Sequence, residues 1–257
     1  MLGISTKSVY ILCMKQIDKT GFGNLILFQD DEQFRYGVDA VILADFAKLH
    51  KNDVVADLCS GNGVIPFIVA HKYHCKSIIG IELQKEPFEL SLESLEANSD
   101  ELQAMGSEIR FLNLDVLDSF SALLPESFTA ITCNPPYFED GSGINGKDAI
   151  KHIARFETTA GLEDFIKIGS KLLKDNGSFT MIHRPSRLPD IMEFMRKYGL
   201  EPKKMRFVSD KENSVPRQVL IQAIKNAGKE LRIEPPLIIH GNYDGYSKEL
   251  QEIYERL

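Results

Sequence analysis

The chain lacks any long hydrophobic run. Its 257 residues are 43% hydrophobic, yet no stretch of about 18 consecutive apolar residues occurs, so no membrane-spanning helix is expected. The apolar segment 9–14 is too short for a secretory leader, and no small-residue cleavage pattern follows it. No Cys-x-x-Cys pair joins the four cysteines, Cys13, Cys59, Cys75 and Cys133. That removes the usual signature of a structural zinc site. Scattered thiols fit buried side chains in a reducing compartment, so a cytoplasmic location is expected. The six histidines form no His-Glu-x-x-His, and no metal is expected. No internal repeat or low-complexity tract is present, which excludes solenoid architectures. A third glycine is also missing. Gly61 and Gly63 begin a dinucleotide-type fingerprint, but Pro66 stands where its last glycine belongs. Pyrophosphate binding, and with it nicotinamide chemistry, is disfavoured.

What is present is enough for one or two globular domains with a sizeable core. The net charge is −7, which by itself argues weakly against a nucleic-acid partner. Its distribution is uneven. Residues 82–140 hold 13 acidic side chains against Lys85 and Arg110, whereas residues 184–232 hold 12 basic against 6 acidic. A basic face built from Arg184, Arg187, Lys203, Lys204 and Arg206 is compatible with a phosphate backbone, and equally with a solvated surface.

Apolar periodicity predicts two short strands, 25–28 and 33–36, around a polar turn. A helix follows over 39–49, with Asp39 as its N-cap. Strands and helices then alternate. Strands are predicted at 53–58, 77–83, 109–115, 127–133 and 177–183, with helices at 63–73, 86–97, 162–173 and 188–198. Two last strands, 205–209 and 217–224, have no helix between them. The predicted fold is α/β, Rossmann-like: a mostly parallel, doubly wound sheet ending in an antiparallel hairpin. A lead-in of short strands, 1–33, precedes a single domain, 34–257, which ends in an extended apolar piece, a turn and a short helix.

The segment DLCSGNG, Asp57 to Gly63, lies between the first strand of this alternation and its helix. Glycines there let a ligand approach the backbone. Asp57 would repel a phosphate but suits a cation. Glu82 ends the next strand, where a carboxylate can accept both hydroxyls of a ribose. Asp115 ends the third and can accept from an adenine amino group. S-adenosylmethionine fits a ligand with adenine, ribose, positive charge and no phosphate.

The segment CNPPYF, residues 133–138, raises a separate question. Two prolines end the strand at Asn134, because neither ring nitrogen can donate to a sheet. The stiff turn presents Asn134 and Tyr137 at a strand end. An exocyclic amino nitrogen has its lone pair delocalised and is a poor nucleophile. The Asn134 side-chain oxygen and the Pro135 carbonyl can accept its two N–H groups and orient the lone pair, while Tyr137 stacks on the planar substrate. This chemistry fits adenine, guanine, cytosine or a glutamine side chain.

D57-LCSGNG-63, IEL at 81–83, Asp115 and NPPY at 134–137 resemble the ordered motifs of class I S-adenosylmethionine-dependent amino-methyltransferases. With FRYGVDAVILADFA (34–47), HIARFETTAGLEDF (152–165), SFTMIHRPSRL (178–188), MRKYGLEPKKMRFV (195–208) and PPLIIHGNYDGYSKELQEIY (235–254), the chain resembles the bacterial tRNA(Val) adenine-37 N6-methyltransferase family from about Phe34 onward. The resemblance implies a tRNA anticodon loop as substrate. It assigns Asn134, Pro135 and Tyr137 to the adenine amino group. It gives the cofactor Asp57, Ser60, Gly61, Gly63, Glu82, Leu83 and Asp115, with Tyr36 and Asp39 closing over the methionine end. Phe138 and Arg155 are expected to meet substrate, and the Gly-rich loop 139–161 to act as a lid. A monomer or weak dimer is expected. Release-factor glutamine and rRNA guanine or adenine methylation use the same turn chemistry and stay open. The short, strand-like lead-in counts against the glutamine class.

Overall fold

The computed structural model describes residues 15–19, 23–30, 37–136, 160–241 and 245–255. Segment 9–14, the expected strand 33–36, Tyr36, Tyr137, Phe138, Arg155 and nearly all of loop 139–161 lie outside them.

Strands β1 (Lys15–Lys19) and β2 (Ile26–Asp30) form an antiparallel hairpin. The order then runs α1 (Val38–Ala47), β3 (Val54–Leu58), α2 (Val64–Tyr73), β4 (Ser77–Glu82), α3 (Lys85–Ala97), α4 (Ser99–Met105) and β5 (Glu108–Asn113). A 3-10 turn (Val116–Ser121) leads to β6 (Phe128–Cys133), α5 (Leu162–Leu172), β7 (Leu173–His183) and α6 (Leu188–Lys197). The chain closes with β8 (Leu200–Ser209), β9 (Gln218–Lys225), β10 (Arg232–Ile238) and α7 (Lys248–Glu255).

Eight strands make one sheet in the order β10-β8-β9-β7-β6-β3-β4-β5. Only β9 runs against the others. The apolar strand runs follow from this arrangement: Val55, Ala56, Asp57 and Leu58 of β3 are all fully buried, as a central parallel strand requires. One core, on the face of α1 and α2, includes Ile42, Leu43, Phe67 and Ile68; the other, on the face of α5 and α6, includes Ile131, Phe165, Phe179 and Ile191. The expected doubly wound sheet with its antiparallel hairpin is present.

Several expectations need correction. Asp39 is not the N-cap of α1. Gly37 occupies that place with extended backbone and no side-chain cap, and Asp39 lies in the first helical turn. The last turn of α3 runs on almost directly into α4, which the polar sequence around Asn98–Glu101 concealed. The apolar tail is an eighth strand, parallel to β8. Its Pro235 and Pro236 coincide with a register shift between Glu234 and Leu237. An edge strand tolerates this because one row of its N–H groups has no ladder to join. Pro202, in the interior β8, likewise sits at a register shift between Pro202 and Lys204. The partner of β2 is β1, upstream of it, and its other edge is covered by side chains. Asn98 donates to the Ile26 carbonyl at 2.6 Å and accepts from its N–H at 2.9 Å, and Ser94 Oγ accepts from Phe28 N–H at 3.0 Å. These bonds fasten the hairpin to α3 and satisfy backbone groups of Ile26 and Phe28.

Candidate active site

From β3 the chain moves outward through β4 to β5, then returns to the other side of β3 as β6. The strand order reverses between β3 and β6. In open parallel sheets this reversal opens a crevice at the carboxyl ends of the strands. Both sequence motifs meet there. Leu58, the last residue of β3, pairs with Cys133, the last of β6, so the loop after one and the proline turn after the other leave the sheet side by side.

The glycine loop is curled by three left-handed residues: Cys59 (φ 63°), Gly61 (φ 56°) and Gly63 (φ 87°). Cys59 holds this conformation at a steric cost that the two glycines do not bear. Two bonds tie the loop to β4: Ser60 N–H donates to the Ile81 carbonyl at 2.9 Å, and Gly61 N–H donates to Glu82 Oε2 at 2.8 Å. Gly80, inside β4, gives Ser60 room, since a Cβ there would lie 2.5 Å from Ser60 Oγ. Pro66 falls in the first turn of α2, where its missing N–H is harmless.

Asp57 is fully buried. Its Oδ1 accepts from Thr132 Oγ1 of β6 at 2.6 Å, whereas Oδ2 has no hydrogen-bond partner among the described residues, nor does the buried Ser60 hydroxyl. Burial pushes the Asp57 carboxyl up to about 7. Thr132 and the adjacent Ser60 hydroxyl oppose this, and the nearby Glu82 adds slightly to it.

Glu82 is 7% exposed. Burial raises its carboxyl above the ordinary range, opposed by backbone N–H groups including those of Gln84 and Gly61. Each of its oxygens holds one such donor at 2.8 Å, Oε1 from Gln84 and Oε2 from Gly61, and each retains a second lone pair. Asn113 closes the strand end, donating to the carbonyls of Glu82 and Leu83 at 2.9 Å. Asp115 lies past the end of β5, half-buried, and its Oδ1 accepts from Leu117 N–H at 2.9 Å to cap the 3-10 turn.

Asn134 and Pro135 stand at the end of β6, half-buried and buried respectively. The Asn134 amide nitrogen donates to Asp39 Oδ2 at 3.4 Å. Asp39 therefore meets the proline turn, which brings the first turn of α1 to the crevice.

An adenosyl sulfonium ligand fits what is here. An unpartnered buried carboxylate oxygen suits a cation, and an orphaned hydroxyl suits a polar group. A Cβ built on Gly61 meets nothing within 4 Å, so the loop has open space for a ligand. The site residues named from sequence therefore gather at one crevice, apart from Tyr36, Tyr137, Phe138 and Arg155, which lie outside the described residues. Thr132, Asn113 and Gly80 were missed. Of these only Gly80 carried a signal, as a glycine interior to a strand.

Residues 37–198 match the family model of the methyltransferase small domain. The chain belongs to the methyltransferase small domain family. This methyltransferase is 23% identical over 238 residues to a tRNA1(Val) (adenine(37)-N6)-methyltransferase of Bacteroides fragilis, covering 92% of this chain and 97% of the relative. It is 26% identical over 237 residues to the enzyme of that name from Christiangramia forsetii, covering 91% and 95%. Its fold superposes on a predicted O-methyltransferase from Agrobacterium tumefaciens with a TM-score of 0.68 at 22% identity, over 85% of this chain and 96% of that one. The M. jannaschii TYW2 complex with AdoMet gives 0.56 at 15% identity, over 82% and 85%. The fold and family are those of S-adenosylmethionine-dependent methyltransferases. Among the described residues no helix is long and apolar enough to cross a membrane, and no cluster of potential metal ligands occurs.

The basic residues divide into two sets. Lys203 donates to the Gly228 carbonyl at 3.1 Å. Lys204 lies 4.0 Å above the Phe46 ring and pairs with Glu234. Arg206 holds both oxygens of Glu249 at 2.7 and 2.8 Å. These three fasten the C-terminal elements to the sheet. Arg184 follows β7 at the same carboxyl edge as Asn134. With Gln218 and Arg217, which pairs with Asp210 at 2.7 Å, it lines a pocket of about 230 Å³ there.

Proposed function

We propose that this methyltransferase methylates N6 of adenine 37 in tRNA(Val). The observation that carries the reading is the Asn-Pro-Pro turn at the carboxyl end of β6, directly beside the glycine loop at the reversal of the sheet. The names of the relatives, matched over nearly their full lengths, support the nucleoside.

S-adenosylmethionine, when bound, supplies an electrophilic methyl group on a sulfonium. In this reading Glu82 accepts from the ribose hydroxyls, Asp57, Ser60, Gly61 and Gly63 line the loop, and Leu83 and Asp115 flank the adenine. Asn134 Oδ1 and the Pro135 carbonyl each accept one N–H of the target amino group. The two prolines leave the backbone of the turn little freedom, so the Pro135 carbonyl is fixed before substrate arrives. The partial negative charge of both acceptors also offsets the positive charge that develops on nitrogen. No strong base is needed, because an N-protonated aryl amine is acidic and loses its proton to water. Tyr137 and Phe138 follow in sequence and supply rings for stacking on an unpaired base. Arg155, Arg184 and Arg217 are the candidates for neighbouring phosphates.

The test presents labelled S-adenosylmethionine with three acceptors side by side: unmodified tRNA(Val) transcript, total rRNA and a release factor. N6-methyladenosine in the tRNA alone is the expected result. Label in the release factor would move the chain to the glutamine class and leave the turn chemistry standing.

A further inference from the structure

The turn that holds the substrate amino group has a support of its own. Asn134 has two side-chain ends, and only its oxygen can accept from a target NH₂. Left free to rotate, the amide would present its nitrogen half the time and repel the substrate donor. Asp39 Oδ2 faces the amide at 3.4 Å. A carboxylate accepts and never donates, so it is compatible only with the amide nitrogen. With the nitrogen turned toward α1, the oxygen is directed away from it.

A second observation concerns how Asp39 reaches this position. A Cβ built on Gly37 would lie 2.4 Å from Asp39 Oδ1 and 3.3 Å from its carboxyl carbon. The carboxylate is folded back over the glycine at the start of α1, occupying the space a side chain would fill. Gly37 has φ −93° and ψ 174°, an extended conformation open to any residue. An alanine at position 37 would meet no backbone strain, but it would have to displace the Asp39 carboxylate.

We propose that Asp39 is a positioning residue: seated over Gly37, it holds the Asn134 amide nitrogen and so presents Asn134 Oδ1 to the target amino group. This rests on the amino-methylation reading above, and it replaces a role for Asp39 at the methionine end of the cofactor.

Three variants separate the two roles: Asp39→Ala, Asp39→Asn and Gly37→Ala. Three quantities are measured on the full chain: the Kd for S-adenosylmethionine by calorimetry, the single-turnover rate on tRNA(Val) at saturating cofactor, and the side-chain amide resonance of Asn134, assigned by its loss in Asn134→Ala. Asp39→Ala should slow single turnover by about 100-fold, the scale of a misplaced reacting group, with the cofactor Kd unchanged. Asp39→Asn keeps an acceptor oxygen and should retain more of the rate. Gly37→Ala keeps the carboxylate but evicts it, and should resemble Asp39→Ala. The Asn134 resonance should move in all three. Cofactor affinity falling equally in Asp39→Ala and Asp39→Asn, with the saturated rate intact, would place Asp39 on the cofactor instead. An unmoved Asn134 resonance would overturn the contact itself. If wild-type protein methylates no RNA, the amino-methylation reading fails, while the resonance and the Kd still decide whether Asp39 holds Asn134.

Discussion

Gly61 N–H donates to Glu82 Oε2 at 2.8 Å, and this bond ties the tip of the glycine loop to the end of the neighbouring strand. Glu82 thus has two tasks in the proposed site: it shapes the loop and faces the ribose. Glu82→Ala removes charged acceptors for both. Losing such bonds costs about 2–3 kcal/mol, so cofactor Kd should rise roughly 30- to 150-fold. Glu82→Gln keeps one acceptor oxygen and should fall between. Calorimetric titration reads both, and an unchanged Kd in Glu82→Ala would remove the ribose assignment.

Asp57 makes the free protein sensitive to pH. Its folded carboxyl is raised to about 7 from an ordinary 3.8. The folded state therefore holds this proton more tightly than the unfolded chain does. The resulting stability is present in full below about pH 4 and is lost as pH rises to about 7. His183 has the opposite sign. Burial holds its imidazole down to about 4, so its contribution is lost as pH falls from 6.5 toward 4. The difference in Tm between wild type and Asp57→Asn isolates the carboxyl: wild type should lose ground to the variant between pH 4 and 7.

Cofactor binding should run the other way with pH. A cationic ligand favours ionised Asp57, so affinity should rise with pH and level off above about 7, with proton release on binding below that point. Titrations in two buffers of different ionisation enthalpy measure the released proton. Asp57→Asn should abolish both the release and the pH dependence.

Thr132→Val deletes the hydroxyl that satisfies Asp57 Oδ1 and leaves a near-isosteric side chain. An unsatisfied buried acceptor costs about 1–3 kcal/mol. Denaturant unfolding of the free protein should register that loss at pH 8, and much less of it at pH 5, where Asp57 is protonated. Equal losses at the two pH values would show that packing, not the bond, is what the variant removes.

The basic residues should separate by role. Arg184→Gln with Arg217→Gln should raise the KM for RNA and flatten its salt dependence, leaving cofactor Kd unchanged. Arg206→Gln should instead lower Tm, because its guanidinium holds Glu249 of α7 with its own side chain only 13% exposed. Salt-dependent kinetics beside thermal melts distinguish the two.

The alternation of strands and helices, the glycine loop and the proline turn were all legible in the sequence. Each is written locally: apolar periodicity selects the element, a left-handed turn calls for glycine, and consecutive prolines stop a strand. Asp57, Glu82 and Asn134 could be named because they sit at ends of such elements. β10 was not legible as a strand, since Pro235 and Pro236 interrupt it, and an edge position with a register shift accommodates them. Nor was the insertion of β9 between β7 and β8.

The contacts that define the site were decided elsewhere. Thr132 meets Asp57 across 75 residues of chain, and Asn134 meets Asp39 across 95. No periodicity reports on such pairs, because they come together only when β6 docks beside β3 and α1 lies against the same sheet. The sequence determined which side chains would stand at strand ends and what ligand chemistry they suit. The tertiary structure decided which of them touch, because a sheet orders its strands by how their faces pack, independently of their order along the chain.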